Sequence, residues 1–111
     1  MLLPESKINN VHGISDEQRQ RIMDFLRNAV YCWCDNNKNQ WFAARDLLGG
    51  ENKDWHDTPM FALYEKSRNE RQAGRDAGNL LKRVLSNDSR RFETDRGRVR
   101  QYRWCCEDIT N

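Results

Sequence analysis

The sequence predicts an α+β fold that is mainly helical, with three to four helices and a C-terminal two-stranded β-hairpin. Three observations predict it: long segments with apolar residues at helical spacing, helix-start and helix-end signals between them, and a final stretch of alternating residues around a turn. The chain has 111 residues, 37% of them hydrophobic and 32% charged, which fits one globular domain. We expect a loose N-terminal arm at 1–14, the domain at 15–104 and a C-terminal tail at 105–111.

The first helix is predicted to begin after Ser15. Ser15 is a favourable N-cap, and Gln18 three residues later completes a capping box. Apolar residues then recur at the spacing of one buried helix face: Ile22, Phe25, Leu26, Ala29, Val30 and Trp33. The run Asp35-Asn36-Asn37 ends the helix.

Shorter elements are predicted next. Residues 40–42 form an extended piece, and residues 43–48 a short helix that stops at Gly49-Gly50. Thr58 and Pro59 are typical of an N-cap and a first helical residue, so a further helix is expected to about residue 68.

A longer helix is predicted over about 72–86. Its buried stripe contains Ala73, Ala77, Leu80, Leu81, Val84 and Leu85. Gly74 and Gly78 each cost about 1 kcal/mol relative to alanine inside a helix. They therefore indicate a close approach, to a ligand backbone or, more commonly, to a neighbouring helix.

The last predicted element is a β-hairpin with strands at 91–94 and 99–104. Residues 95–97 form its turn, in which Gly97 is suited to a positive φ.

In its order of elements the chain resembles the winged helix-turn-helix family over about residues 15–104. Three segments carry the resemblance: residues 41–48 (WFAARDLL), residues 80–85 (LLKRVL) and the hairpin from Arg90-Arg91-Phe92 to Tyr102-Arg103-Trp104. The stretch from Gly49 to about Arg71 departs from the most compact members. The resemblance implies a winged-helix fold and double-stranded DNA as a partner.

The charge is unevenly distributed along the chain. The formal net charge is +2, but residues 71–104 carry ten Lys and Arg against four Asp and Glu. Such a basic third favours a polyanionic partner, and a solvated charged face is the simpler alternative.

One candidate binding surface is the outward face of the long helix. Its residues are Arg75, Asn79, Lys82, Arg83 and Ser86. Arginine pairs with guanine and asparagine with adenine in a major groove, so these residue types suit base contacts. Asp76 is expected near the same surface, where it would repel phosphate. An ordinary solvated face remains the alternative.

The hairpin is the second candidate surface. The resemblance gives Arg96, Arg98 and Arg100 the role of contacting the phosphate backbone, with Arg90 and Arg91 at the base of the hairpin. A charged edge strand protected against aggregation is the alternative. Arg45 in the short helix is predicted either to hold a phosphate or to form a salt bridge.

The sequence predicts no enzyme, cofactor or metal site. Cys32, Cys34, Cys105 and Cys106 lack the spacing of common zinc sites, and neither His12 nor His56 lies in a catalytic pattern. No apolar run reaches the ~18 residues of a membrane span, and the first residues lack signal-peptide features. We therefore expect a cytoplasmic protein with no membrane contact. Cysteines of cytoplasmic proteins are more often thiols than disulfides, so we expect thiols here.

The sequence is consistent with two functions. The first is double-stranded DNA binding, as a small transcriptional or replication-associated regulator. The second is a winged-helix module for protein–protein contact without nucleic acid, since a fold does not fix a function. The second function predicts an exposed apolar patch. In either case the first helix is a candidate surface for a homodimer.

Overall fold

A computed structural model describes residues 2–3, 7–48 and 55–104, which form four helices and three short strands. The helices are α1 (Asp16–Asn36), α2 (Ala44–Leu47), α3 (Phe61–Ser67) and α4 (Glu70–Asn87). The strands are β1 (Leu2–Leu3), β2 (Phe92–Arg96) and β3 (Arg100–Trp104). The predicted α+β class is confirmed, because the fold is mainly helical and ends in the antiparallel hairpin β2–β3. The arrangement is compatible with a winged fold.

The predicted capping box starts α1. The Gln18 amide N–H donates to Ser15 Oγ over 3.0 Å, and the Ser15 N–H donates to Gln18 Oε1 over 2.9 Å. These bonds satisfy amides that have no partner within the helix. Ile22, Leu26 and Val30 are buried on the predicted face of α1.

A two-residue link joins α3 to α4. Arg68 adopts a left-handed backbone with φ of 53°, and its N–H donates to Tyr64 O over 2.6 Å. Asn69 then caps α4, since its Oδ1 accepts from the Gln72 amide over 3.0 Å. This cap lets α4 begin at Glu70, two residues before the predicted start.

The apolar stripe of α4 forms the centre of the core. All six predicted stripe residues are buried: Ala73, Ala77, Leu80, Leu81, Val84 and Leu85. They pack with buried residues of α1 and with Phe42, Leu63 and Phe92.

The three strands form one sheet in the order β1-β2-β3. Leu2 pairs with Phe92 in a parallel register, and Thr94 pairs with Tyr102 across the hairpin. Phe42 adds an antiparallel bridge to Tyr102: the Phe42 N–H donates to Tyr102 O over 2.8 Å, and the Tyr102 N–H donates to Phe42 O over 2.7 Å. This bridge attaches the chain just before α2 to the hairpin.

Two residues of the expected N-terminal arm are buried in the core. Leu2 and Val11 are 2% and 1% exposed, and Leu2 belongs to a strand. The Arg19 guanidinium also donates to Val11 O over 2.8 Å. Leu2 and Leu3 pair with residues 90 positions away, a contact that periodicity does not reveal.

The hairpin turn also differs from the expected one. The last strand pair is Arg96 with Arg100, so residues 97–99 form the turn, not 95–97. The positive φ predicted for Gly97 is wrong; among the described glycines, Gly13 has it, at 88°. The expected stop at Gly49-Gly50 and the expected tail at 105–111 lie outside the described residues.

No helix within the described ranges is long and apolar enough to cross a bilayer.

Candidate nucleic-acid interface

A groove of about 470 Å³ opens between α4, α2 and the β2–β3 hairpin, and we call it the α4–hairpin groove. Its lining residues are Asn9, Ala44, Arg45, Leu48, Trp55, Gly74, Arg75, Ala77, Gly78, Asn79, Lys82, Val99, Arg100 and Tyr102. The volume lies in the range of ordinary ligand sites.

The lining of the α4–hairpin groove is cationic. Among the described residues of the lining, four are basic, namely Arg45, Arg75, Lys82 and Arg100, and none is Asp or Glu. Partial burial lowers the pKa of Lys82, and the nearby charges of Arg100 and Arg96 lower it further. The positive side chains of α4 and of the hairpin therefore face each other closely, which favours an anion between them.

The two helix glycines open onto this groove. A Cβ placed on Gly74 or Gly78 would meet no atom of the described residues within 4 Å, and both glycines line the groove. The more common explanation offered by the sequence, close packing on a neighbouring helix, is therefore wrong. The surface of α4 at these positions is bare backbone that a ligand can approach closely.

Asp76 does not lie on the outward face. Its side chain is 6% exposed and its Oδ2 lies 2.6 Å from Nζ of Lys66, while Gln72 Nε2 donates to its Oδ1 over 3.0 Å. The carboxylate therefore faces α3 and is paired there. The expectation that Asp76 would repel phosphate is wrong.

A segment of the chain that the sequence did not implicate runs along the outward face of α4. The Asn9 N–H donates to Asn79 Oδ1 over 3.2 Å. Arg83 Nη2 donates to Asn10 Oδ1 over 3.2 Å, and Lys82 Nζ donates to Lys7 O over 3.3 Å. We call residues 7–10 the crossing segment. No local signal could have located it, because each contact joins residues at least 70 positions apart.

The predicted site residues on α4 therefore lie in three different environments. Arg75 is exposed in the groove, whereas Asn79, Lys82 and Arg83 are half-buried and bonded to the crossing segment. Ser86 is half-buried and does not line the groove.

The predicted hairpin residues also divide. Arg96 and Arg98 are exposed at the tip, and Arg91 is exposed at the base. Arg100 lines the groove, and its Nη1 donates to Thr94 Oγ1 over 3.2 Å.

Arg90 packs against aromatic side chains of the fold. Its guanidinium carbon lies 4.2 Å from the Tyr31 ring centroid and 4.0 Å from the Trp104 ring centroid. The side chain thus lies between two aromatic rings and joins α1 to β3, an arrangement that cation–π attraction stabilises. Arg90 is not placed to contact a ligand in the groove.

Comparison with protein-family models, curated proteins and solved structures finds no match. The function is therefore inferred from the geometry and charge of the α4–hairpin groove.

None of the described cysteines and histidines lines this groove. Within 2–3, 7–48 and 55–104, no three His, Cys, Asp or Glu side chains are grouped to hold a metal ion. Cys32 is exposed, whereas Cys34 is buried and burial raises the pKa of its thiol to about 11. Cys105 and Cys106 lie outside the described residues. His56 stacks on Phe61 with ring centroids 4.1 Å apart.

Proposed function

We propose that the chain binds double-stranded DNA through the α4–hairpin groove. In this proposal the N-terminal half of α4, around Arg75, faces the major groove. The hairpin tip, with Arg96 and Arg98, lies against the phosphate backbone. The protein then acts in the cytoplasm as a small transcriptional or replication-associated regulator.

The observation that carries the proposal is the composition of the groove lining. In the part of the lining that the structure describes there are four basic residues and no Asp or Glu, and two more guanidiniums are exposed at the hairpin tip beside it. Phosphate contacts by such side chains supply most of the sequence-independent affinity for DNA. Gly74 and Gly78 leave the helix surface low enough for a duplex to approach it.

The protein–protein alternative has less support. It predicts an exposed apolar patch, but Val99, at 39%, is the sole exposed large hydrophobic residue in the described ranges. Trp55 is half-buried against the core. A homodimer through α1 likewise has no apolar seam, because the exposed residues of the described helix are polar or charged apart from Cys32.

Fluorescence anisotropy with a labelled random duplex of about 20 base pairs, titrated with salt, tests the proposal. Loss of a phosphate contact lowers the salt slope by about 1, so we expect Arg98→Ala to weaken binding of all sequences and to flatten the slope by that amount. Arg75→Ala should weaken binding and relax any sequence preference.

The matched control is Arg21→Ala. Arg21 is an exposed arginine of α1, paired with Glu17 over 3.6 Å, and its loss removes the same charge away from the groove. We expect the control to bind like the wild type. Equal affinities and slopes for Arg75→Ala, Arg98→Ala and Arg21→Ala would contradict the proposal.

A further inference from the structure

The crossing segment lies where a DNA-reading helix presents its central side chains. Three hydrogen bonds hold it there, to Asn79, Lys82 and Arg83. Any duplex that approaches this face of α4 therefore meets residues 7–10 as well as the helix.

These hydrogen bonds change what Asn79 can do. Its Oδ1 accepts from the Asn9 N–H over 3.2 Å, and its Nδ2 donates to Arg75 O over 3.1 Å. An amide reads adenine by using its oxygen and its nitrogen together. Both ends of the Asn79 amide are already engaged with protein, so Asn79 acts as an anchor for the segment.

The side-chain amide of Asn9 is available to a ligand, whereas that of Asn79 is engaged with protein. The backbone N–H of Asn9 makes the bond to Asn79, while the residue is exposed and lines the groove with Arg75, and its side chain makes no hydrogen bond within the described part of the chain. We infer that Asn9, positioned by Asn79, is the specificity-determining amide of this surface and contacts a base edge next to Arg75. The inference rests on the proposed function.

The opposite role, a segment that blocks the surface, is less consistent with its charge. A segment that competes with DNA for Lys82 and Arg83 would offer carboxylates in place of phosphates. The crossing segment contains Lys7, Ile8, Asn9 and Asn10, with no acidic residue. It adds a positive charge to the surface. This charge favours a segment that contacts DNA together with α4 over a segment that takes the place of the DNA phosphates.

Selection from a random duplex library, followed by sequencing, tests the inference in the full chain. We expect the wild type to prefer adenine at one position. Asn9→Ala should lose this preference by roughly ten-fold or more, with little loss of affinity for random duplex. Asn79→Ala should lose the same preference, because the segment loses its anchor.

Asn28→Ala is the matched control, since Asn28 is an exposed amide of α1 that does not line the groove. It should keep the wild-type preference, and thermal unfolding should show all three variants folded. An unchanged preference in Asn9→Ala, or a wild type without any preference, would overturn the inference. Tighter DNA binding by Asn9→Ala would overturn it too, because the crossing segment would then compete with DNA for the surface of α4.

The binding and selection experiments distinguish a failure of DNA binding from a failure of the role of Asn9. If the folded wild type binds no duplex at any salt concentration, the proposed function is wrong and the role of Asn9 is wrong with it. If random duplex binds with the expected salt slope but Asn9→Ala selects the same sites as the wild type, DNA binding stands and only the role of Asn9 is wrong.

Discussion

Lys66 Nζ in α3 lies 2.6 Å from Asp76 Oδ2 in α4, and the two side chains are only 15% and 6% exposed. The pair crosses between the two helices on the side of α4 away from the groove. Because both charges are withdrawn from water, each depends on the other for compensation.

Lys66→Met should therefore destabilise the fold strongly. The substitution leaves the Asp76 carboxylate buried without its counter-charge, a situation that costs about 3 kcal/mol or more. Urea unfolding measures the loss. The double variant Lys66→Met/Asp76→Leu removes both charges and should recover most of the stability; a double variant as unstable as the single one would contradict this account.

Substitution by alanine should stabilise the fold at the two helix glycines and destabilise it at Gly13. Gly74→Ala and Gly78→Ala place a methyl group in open space, so each should raise the free energy of unfolding by about 0.5–1 kcal/mol. Gly13→Ala should lower it by about 1–2 kcal/mol, because φ is 88° there and the new Cβ would lie 3.0 Å from Lys66 Cδ. Thermal unfolding of the three variants checks the signs, and a destabilised Gly78→Ala would show that the helix surface is not open.

Cys34 should make stability depend on alkaline pH. Burial raises the pKa of its thiol from 9.0 to about 11, so the folded state favours the protonated form. This contribution is fully present below pH 9 and is lost as the pH rises to about 11, on the order of 2 kcal/mol. Urea unfolding across this pH range checks the slope, which Cys34→Ala should reduce.

Tyr102 should cause a further loss of stability at higher pH, because burial raises its pKa to about 12 and the folded state therefore also favours its protonated form.

Thiol labelling tests the burial of Cys34 in a second way. Iodoacetamide near neutral pH should label exposed Cys32 and spare Cys34, and peptide mass spectrometry distinguishes the two residues. Equal labelling of the two residues would contradict the burial of Cys34.

Arg90→Ala should affect stability and leave DNA contacts unchanged. Removal of a guanidinium lying 4.2 Å and 4.0 Å from two ring centroids should cost about 2 kcal/mol. The salt slope of DNA binding should stay that of the wild type under conditions where the variant is folded. Arg90→Lys keeps the charge but not the planar stacking, so it should remain destabilised; a slope lowered by about 1 in Arg90→Ala would instead assign Arg90 to the interface.

Local patterns predicted the helical part of this fold well. Ser15 and Gln18 located the start of α1, and the apolar stripe of α4 is buried as expected, because capping and periodicity depend on neighbours within a few residues. The pairing of Leu2 with Phe92 could not be predicted in this way. A two-residue strand has almost no pattern of its own, and its partner lies 90 residues away.

The candidate site was predicted in part for the same reason. Helical spacing selected Arg75 and Lys82, which do line the groove. It could not identify Asn9, whose position depends on a tertiary contact with Asn79. Nor could it place Asp76 inward or Arg90 between two rings, since both placements depend on partners from α1, α3 and β3.

The reciprocal hydrogen bonds between Phe42 and Tyr102 fix the distance between the chain entering α2 and the second strand of the hairpin. These two parts of the chain, α2 and the hairpin, lie side by side and line the groove together with α4. Main-chain bonding therefore sets their relative position before any ligand arrives. A ligand then enters a preorganised shape and pays little for ordering the protein. Association should accordingly be limited by electrostatically steered diffusion and not by a slow conformational step.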